Sequence, residues 1–167
     1  DLSDAPYPTA MKEQNLADLS AFGGSRVTFV KACVASSLLP SDVFAVASGV
    51  VHLAGLAGVR PSFERPARYV QVNVEGTARV LERCYEAGVD KVVIASSSSV
   101  YGNSTPLPAV EDAPCVSPES PYAASKRACE LLTFAYAKKS PHVTHSLLRF
   151  FTVYGPYQRP EMAITKF

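Results

Sequence analysis

Short apolar runs of strand length alternate along this chain with longer stretches whose apolar positions recur every three or four residues. That alternation predicts a parallel sheet joined by crossover helices. Residues 11–22 read as a helix and 27–31, VTFVK, as a strand. The run 49–55, GVVHLAG, is short, β-branched and bounded by glycines, which predicts a strand buried on both faces. Over 66–87 the apolar positions Tyr69, Val72, Val80, Leu81 and Tyr85 fit a helix that Gly88 closes. A strand at 91–95 follows at once. After a serine run and a proline-rich loop over 96–121, a strong helix occupies about 120–138, with Ser120 as its N-cap and Pro121 in its first turn. Pro141 ends it, and 143–149, VTHSLLR, reads as the next strand.

Composition narrows the functional classes. Among 167 residues, 16 Lys and Arg face 15 Asp and Glu, so the positive excess of a nucleic-acid binder is missing and no nucleic-acid partner is expected. No run of 18 apolar residues predicts a membrane span. The four cysteines, Cys33, Cys84, Cys115 and Cys129, form no CxxC pair and have no metal-like spacing with the three histidines. Reduced thiols, a cytoplasmic protein and no metal are the expectation. The first residue is Asp1 and no charged and apolar leader is visible, so targeting has no support. The chain stops at Phe167 in the middle of a motif, and a fragment is expected.

The loop 96–121 is too long for a plain connection, and long loops at the carboxyl ends of parallel strands carry function, although a surface insertion would look similar. At its far end Tyr122 and Lys126 stand four apart, on one helical face. A neighbouring ammonium and the positive end of a helix both favour a phenolate, which makes such a pair a proton shuttle. In a chain with eight tyrosines the spacing alone is weak evidence. Its context strengthens it: the serines 96–99 end a buried strand, on the edge where a parallel sheet gathers strand ends and helix starts.

Five segments, in order, resemble the extended short-chain dehydrogenases/reductases, and among them the NAD-dependent nucleotide-sugar epimerases and dehydratases. They are HLAG at 52–55, NVEGT at 73–77, SSSSVYG at 96–102, SPYAASK at 120–126 and RFFTVYGP at 149–156. The resemblance implies an α/β, Rossmann-like doubly wound parallel sheet, here truncated at both ends. It implies a partial NAD-binding domain over 1–150 and the start of a nucleotide-sugar-binding region over 151–167. By the same resemblance Tyr122 is the acid/base, Lys126 lowers its pKa and holds the nicotinamide ribose, and Ser97 is the hydroxyl partner. Leu53, Ala54, Gly55, Asn73 and Ser96, with Tyr122 and Lys126, would line the NAD site.

Dehydratases and decarboxylases of this family resemble one another in a glutamate two residues before the VYG tyrosine, and here Ser98 and Ser99 occupy that region. Without those carboxylates, oxidation followed by re-reduction is favoured, and C4 epimerisation is the simplest such reaction. Thr152 and Arg159 in RFFTVYGPYQRPEMA, with AGVR at 57–60, resemble the UDP-glucuronate 4-epimerases. A sugar carboxylate calls for hydroxyl donors and no facing anion, so Ser98, Ser99, Thr152 and Arg159 are the expected substrate residues. A UDP-glucose/galactose epimerase, a dehydratase or decarboxylase, and a non-catalytic epimerase-like binding module stay open as alternatives. The family implies a homodimer when full length, with 66–87 and 120–138 as the pairing helices.

Two departures stand out. No GxxGxxG or GxGxxG turn occurs, although a dinucleotide fold needs one for its pyrophosphate, so these 167 residues alone are expected to be inactive. Cys33 stands where family members commonly carry an adenine-contacting aspartate. DLSDAPY resembles the turn after the family's second strand, which would set Asp1 near the adenosine ribose.

Overall fold

The computed structural model describes residues 7–36 and 38–162. The chain divides into two compact units, one of Asp1–Lys31 with Thr152–Phe167 and the other of Ala32–Phe151. Asp1 lies outside the described residues.

In the first unit, α1 spans Thr9–Gly23 and stops at Gly24, whose φ of 54° suits a residue without Cβ. Val27 is extended, with φ −118° and ψ 122°. The strand expected at 27–31 does not form: the segment pairs with no other strand among the described residues, and Phe29 and Val30 are exposed. A ladder of hydrogen bonds, rather than β-branched composition, makes a strand, and this segment has no ladder.

The second unit begins with a single turn, α2, at Asp42–Ala45. Strands β1, Val50–His52, β2, Lys91–Ser97, and β3, Thr144–Phe150, form one parallel sheet in the order β1-β2-β3. The register pairs His52 with Ile94 and Ser97 with Phe150. From β1 the chain returns through α3, Val59–Glu64, α4, Pro66–Tyr69, a π-helical turn at Val70–Glu75, and α5, Gly76–Ala87. The helix read over 66–87 is therefore widened in its middle. Gly88, at φ 71°, ends α5, and the Val89 amide donates to the Cys84 carbonyl at 2.9 Å.

Helix α6 runs over Pro121–Lys139, and Ser120 caps it by accepting from the Ala123 amide at 3.1 Å. Val80, Leu81 and Cys84 of α5, with Leu132 and Tyr136 of α6, pack on Val92 and Ile94 of β2. Burying residues such as Leu81 and Ile94 stabilises the unit by roughly 2 kcal/mol each. Both crossover helices thus share one sheet face, while Val51 on β1 is exposed. This packing brings the carboxyl ends of β1 and β2 and the first turn of α6 to a common edge.

The loop after β2 is packed rather than loose. Ser98–Tyr101 form a 3-10 turn, and Val100, Tyr101 and Cys115 make a small buried cluster of their own. Gly102 follows at φ 64° and ψ −167°, a region open in practice only to glycine, and a Cβ there would strike the Ser117 carbonyl oxygen. Gly102→Ala is expected to lower stability by about 2 kcal/mol, read as a lower urea midpoint at unchanged slope.

Among the described residues no helix is long and apolar enough to cross a membrane, and no group of three His, Cys, Asp or Glu side chains is placed to hold a metal.

Candidate active site

Lys126 is the best-placed charged group on this edge. One turn into α6 it is buried, and its Nζ donates to the Ala95 carbonyl of β2 at 2.8 Å. Burial lowers its pKa from the ordinary lysine range, with Cys129 acting weakly in the opposite sense. Leu53, Ala54 and Gly55 leave the end of β1 exposed. A Cβ at Gly55 would stand 3.0 Å from Asn73 Oδ1 and 3.4 Å from Lys126 Nζ. Bare backbone backed by a buried amide and an ammonium gives a dinucleotide room to approach and polar groups to meet, so the residues present fit NAD.

Asn73 sits in the π-helical turn, a distortion often found where a side chain is held for function. Its Oδ1 accepts from the Leu56 amide at 2.7 Å. Its Nδ2 donates to the Leu56 carbonyl at 3.0 Å and to Ser125 Oγ at 2.9 Å. Ser125 in turn donates to the Tyr122 carbonyl at 2.8 Å. The loop after β1 is thereby tied through one buried amide to the helix that carries Tyr122 and Lys126.

A second polar chain lies beneath. Thr77 donates to Cys129 Sγ at 3.3 Å and accepts from His52 Nε2 at 3.1 Å, which assigns His52 the neutral tautomer with its proton on Nε2. Burial and then the Lys126 charge push the His52 pKa down to about 4.

Tyr122 is half-buried in the first turn of α6, its ring edge-to-face with Tyr69 at a centroid distance of 6.2 Å. Its hydroxyl makes no hydrogen bond to Ser97 or Lys126. Ser97 ends β2 and accepts from the Ser99 amide at 3.2 Å, so its hydroxyl proton remains to be shared. Ser98 and Ser99 are half-buried in the following turn. Ser96, paired with Arg149 in the sheet, gives its hydroxyl to Glu130. Thr152 and Arg159 belong to the other unit. There Thr152 is exposed, and Arg159 pairs with Glu161 at 3.2 Å.

Sequence reasoning missed Glu130. It is fully buried on α6, four residues after Lys126, and accepts from Ser96, Arg127 and Arg149. Burial works against its charge, but the hydrogen bonds from Arg149, Ser96 and Arg127 outweigh it and hold the carboxyl below the usual range. The available signal was its spacing of four from Lys126 and eight from Tyr122, which sets all three on one stripe of the helix.

A family model described as the NAD dependent epimerase/dehydratase family matches residues 5–167. The UDP-glucuronate 4-epimerase of Thermodesulfobacterium geofontis is 47% identical over 120 residues, 72% of this chain and 36% of that protein. A probable UDP-glucuronate 4-epimerase of Rhizobium meliloti is 35% identical over 161 residues, 96% of this chain and 47% of that one. The crystal structure of the Bacillus cereus UDP-glucuronic acid 4-epimerase, in complex with UDP-glucuronic acid and NAD, superposes with a TM-score of 0.84 at 35% identity, over 99% of this chain and 51% of that one. The chain spans less than half the length of these curated relatives.

Proposed function

The chain belongs to the NAD dependent epimerase/dehydratase family, and from that premise we propose that the protein epimerises a UDP-sugar at C4 with NAD, turning UDP-glucuronate into UDP-galacturonate. One observation carries the reading: Gly55, Asn73 and Lys126 converge at the carboxyl ends of β1 and β2, with Tyr122 one helical turn before that lysine. NAD, when bound, supplies the redox chemistry at C4. Leu53, Ala54, Gly55, Ser96, Asn73 and Lys126 hold its nicotinamide end. Tyr122 takes the proton of the sugar 4-hydroxyl as C4 is oxidised, and returns it after the 4-keto sugar has turned over. Lys126, one helical turn further on, holds the nicotinamide ribose, and Ser97 shares the proton.

The choice of a glucuronate is supported by Ser98 and Ser99, which offer hydroxyls where a carboxylate would repel the sugar acid. The names of the relatives agree with that choice. A homodimer is part of the proposal: Val70, after α4, and Leu131 and Phe134 on α6 are exposed apolar residues on the two expected pairing helices. A cytoplasmic location accords with four free cysteines.

Incubating the complete protein with NAD and UDP-glucuronate is expected to yield UDP-galacturonate, resolved by anion-exchange chromatography. Turnover of UDP-glucose alone would overturn the substrate. Release of a 4-keto-6-deoxy sugar or a pentose would overturn the reaction.

A further inference from the structure

Glu130 has all its acceptor positions filled. Oε1 accepts from Ser96 Oγ at 2.6 Å and Arg149 Nε at 2.9 Å, while Oε2 accepts from Arg127 Nη1 at 2.7 Å and Arg149 Nη2 at 3.1 Å. Two guanidinium groups around one carboxylate leave donors to spare, and these go to the long loop. Arg149 Nη1 donates to the Glu111 carbonyl at 2.9 Å and Arg127 Nη2 to the Pro114 carbonyl at 3.0 Å. The Arg149 guanidinium carbon also lies 4.9 Å over the Tyr101 ring.

A buried ionic cluster of this kind is a poor source of stability, since well-packed apolar side chains often do as well or better. Its placement points elsewhere. The serines 97–99 are gripped at both ends by one carboxylate: at Ser96 directly, and at Tyr101 through Arg149. The helix is gripped as well. Lys126 donates to Ala95 and Glu130 accepts from Ser96, so two successive turns of α6 hold two successive residues of β2. A slip of either element breaks both contacts.

We propose that Glu130 is a positioning residue of the epimerisation site, which through Ser96 and Arg149 fixes the serine run 97–99 against the helix that carries Tyr122. The proposal rests on the reading of Tyr122 and Ser97 given above. Misplacement of a reacting group by about 1 Å is enough to lower turnover on the order of 100-fold.

The test uses the complete protein and three variants: Glu130→Gln, which removes the charge, Ser96→Ala, which removes only the hydroxyl link, and Ser96→Thr, which restores a hydroxyl. Glu130→Gln and Ser96→Ala are expected to lower kcat by about 10-fold to 100-fold. KM and NAD affinity should stay within about twofold, and Ser96→Thr should recover most of the rate. Amide hydrogen exchange over 97–102 should quicken in the first two variants and not in Ser96→Thr, while β1 and α5 exchange as before. Wild-type kcat in Ser96→Ala, or a loss carried equally by NAD binding, overturns the positioning role. If Glu130→Gln fails to fold, the pair at Ser96 decides alone. If the unaltered protein turns over no UDP-sugar, the epimerase reading fails, and the exchange measurement still decides the bracing of 97–102: unchanged exchange overturns it.

Discussion

Tyr122→Phe is expected to lower kcat for C4 epimerisation by about 10²–10⁴-fold, the usual worth of a positioned general acid/base, while folding stability moves by less than about 0.5 kcal/mol. The second half of that expectation comes from the geometry. The phenol oxygen is bonded to neither Ser97 nor Lys126, so removing it breaks neither link. The edge-to-face contact with Tyr69 belongs to the ring and survives in phenylalanine. Activity and stability are thus decoupled at this position. Steady-state rates alongside urea unfolding read the two separately; a variant with wild-type turnover would remove Tyr122 from the reaction.

Acid is expected to weaken the fold by about 3 kcal/mol between pH 6.5 and pH 4 through His52 alone. In the unfolded chain this imidazole titrates near 6.5; in the folded one it is pushed down to about 4. Below 6.5 the unfolded state binds a proton that the folded state refuses, so the contribution is intact above 6.5 and is lost as the pH falls toward 4. The cause is burial first and the Lys126 ammonium second. In His52→Asn the other titrating groups remain, so the difference between the two curves isolates the histidine. Urea midpoints at half-unit pH intervals should converge toward acid; parallel curves would falsify the assignment.

What the sequence made legible was local. Ser120 and Pro121 begin α6, and Gly88 closes α5 through a left-handed turn, because caps and glycine conformations depend on a few adjacent residues. The three paired strands were visible as short apolar runs. The segment 27–31 was misread because its composition suits a strand but its pairing is decided by what lies beside it. The π-helical turn at Asn73 follows from a side chain reaching 17 residues back to Leu56, a constraint no helical period reveals. Glu130 was overlooked for a similar reason: one acid on an amphipathic helix reads as solvated surface, and its burial is decided by Ser96, 34 residues before it, and Arg149, 19 residues after.

The short turn at Ser98–Tyr101 has a consequence for how such a protein can change. The hydroxyls of Ser98 and Ser99 bond to no other described residue, while both flanks of the turn are fastened. Replacements at these two positions therefore disturb little else in the fold. If the proposed substrate role of Ser98 and Ser99 holds, preference for one sugar over another can drift there by single substitutions while the remaining proposed site residues are inherited unaltered.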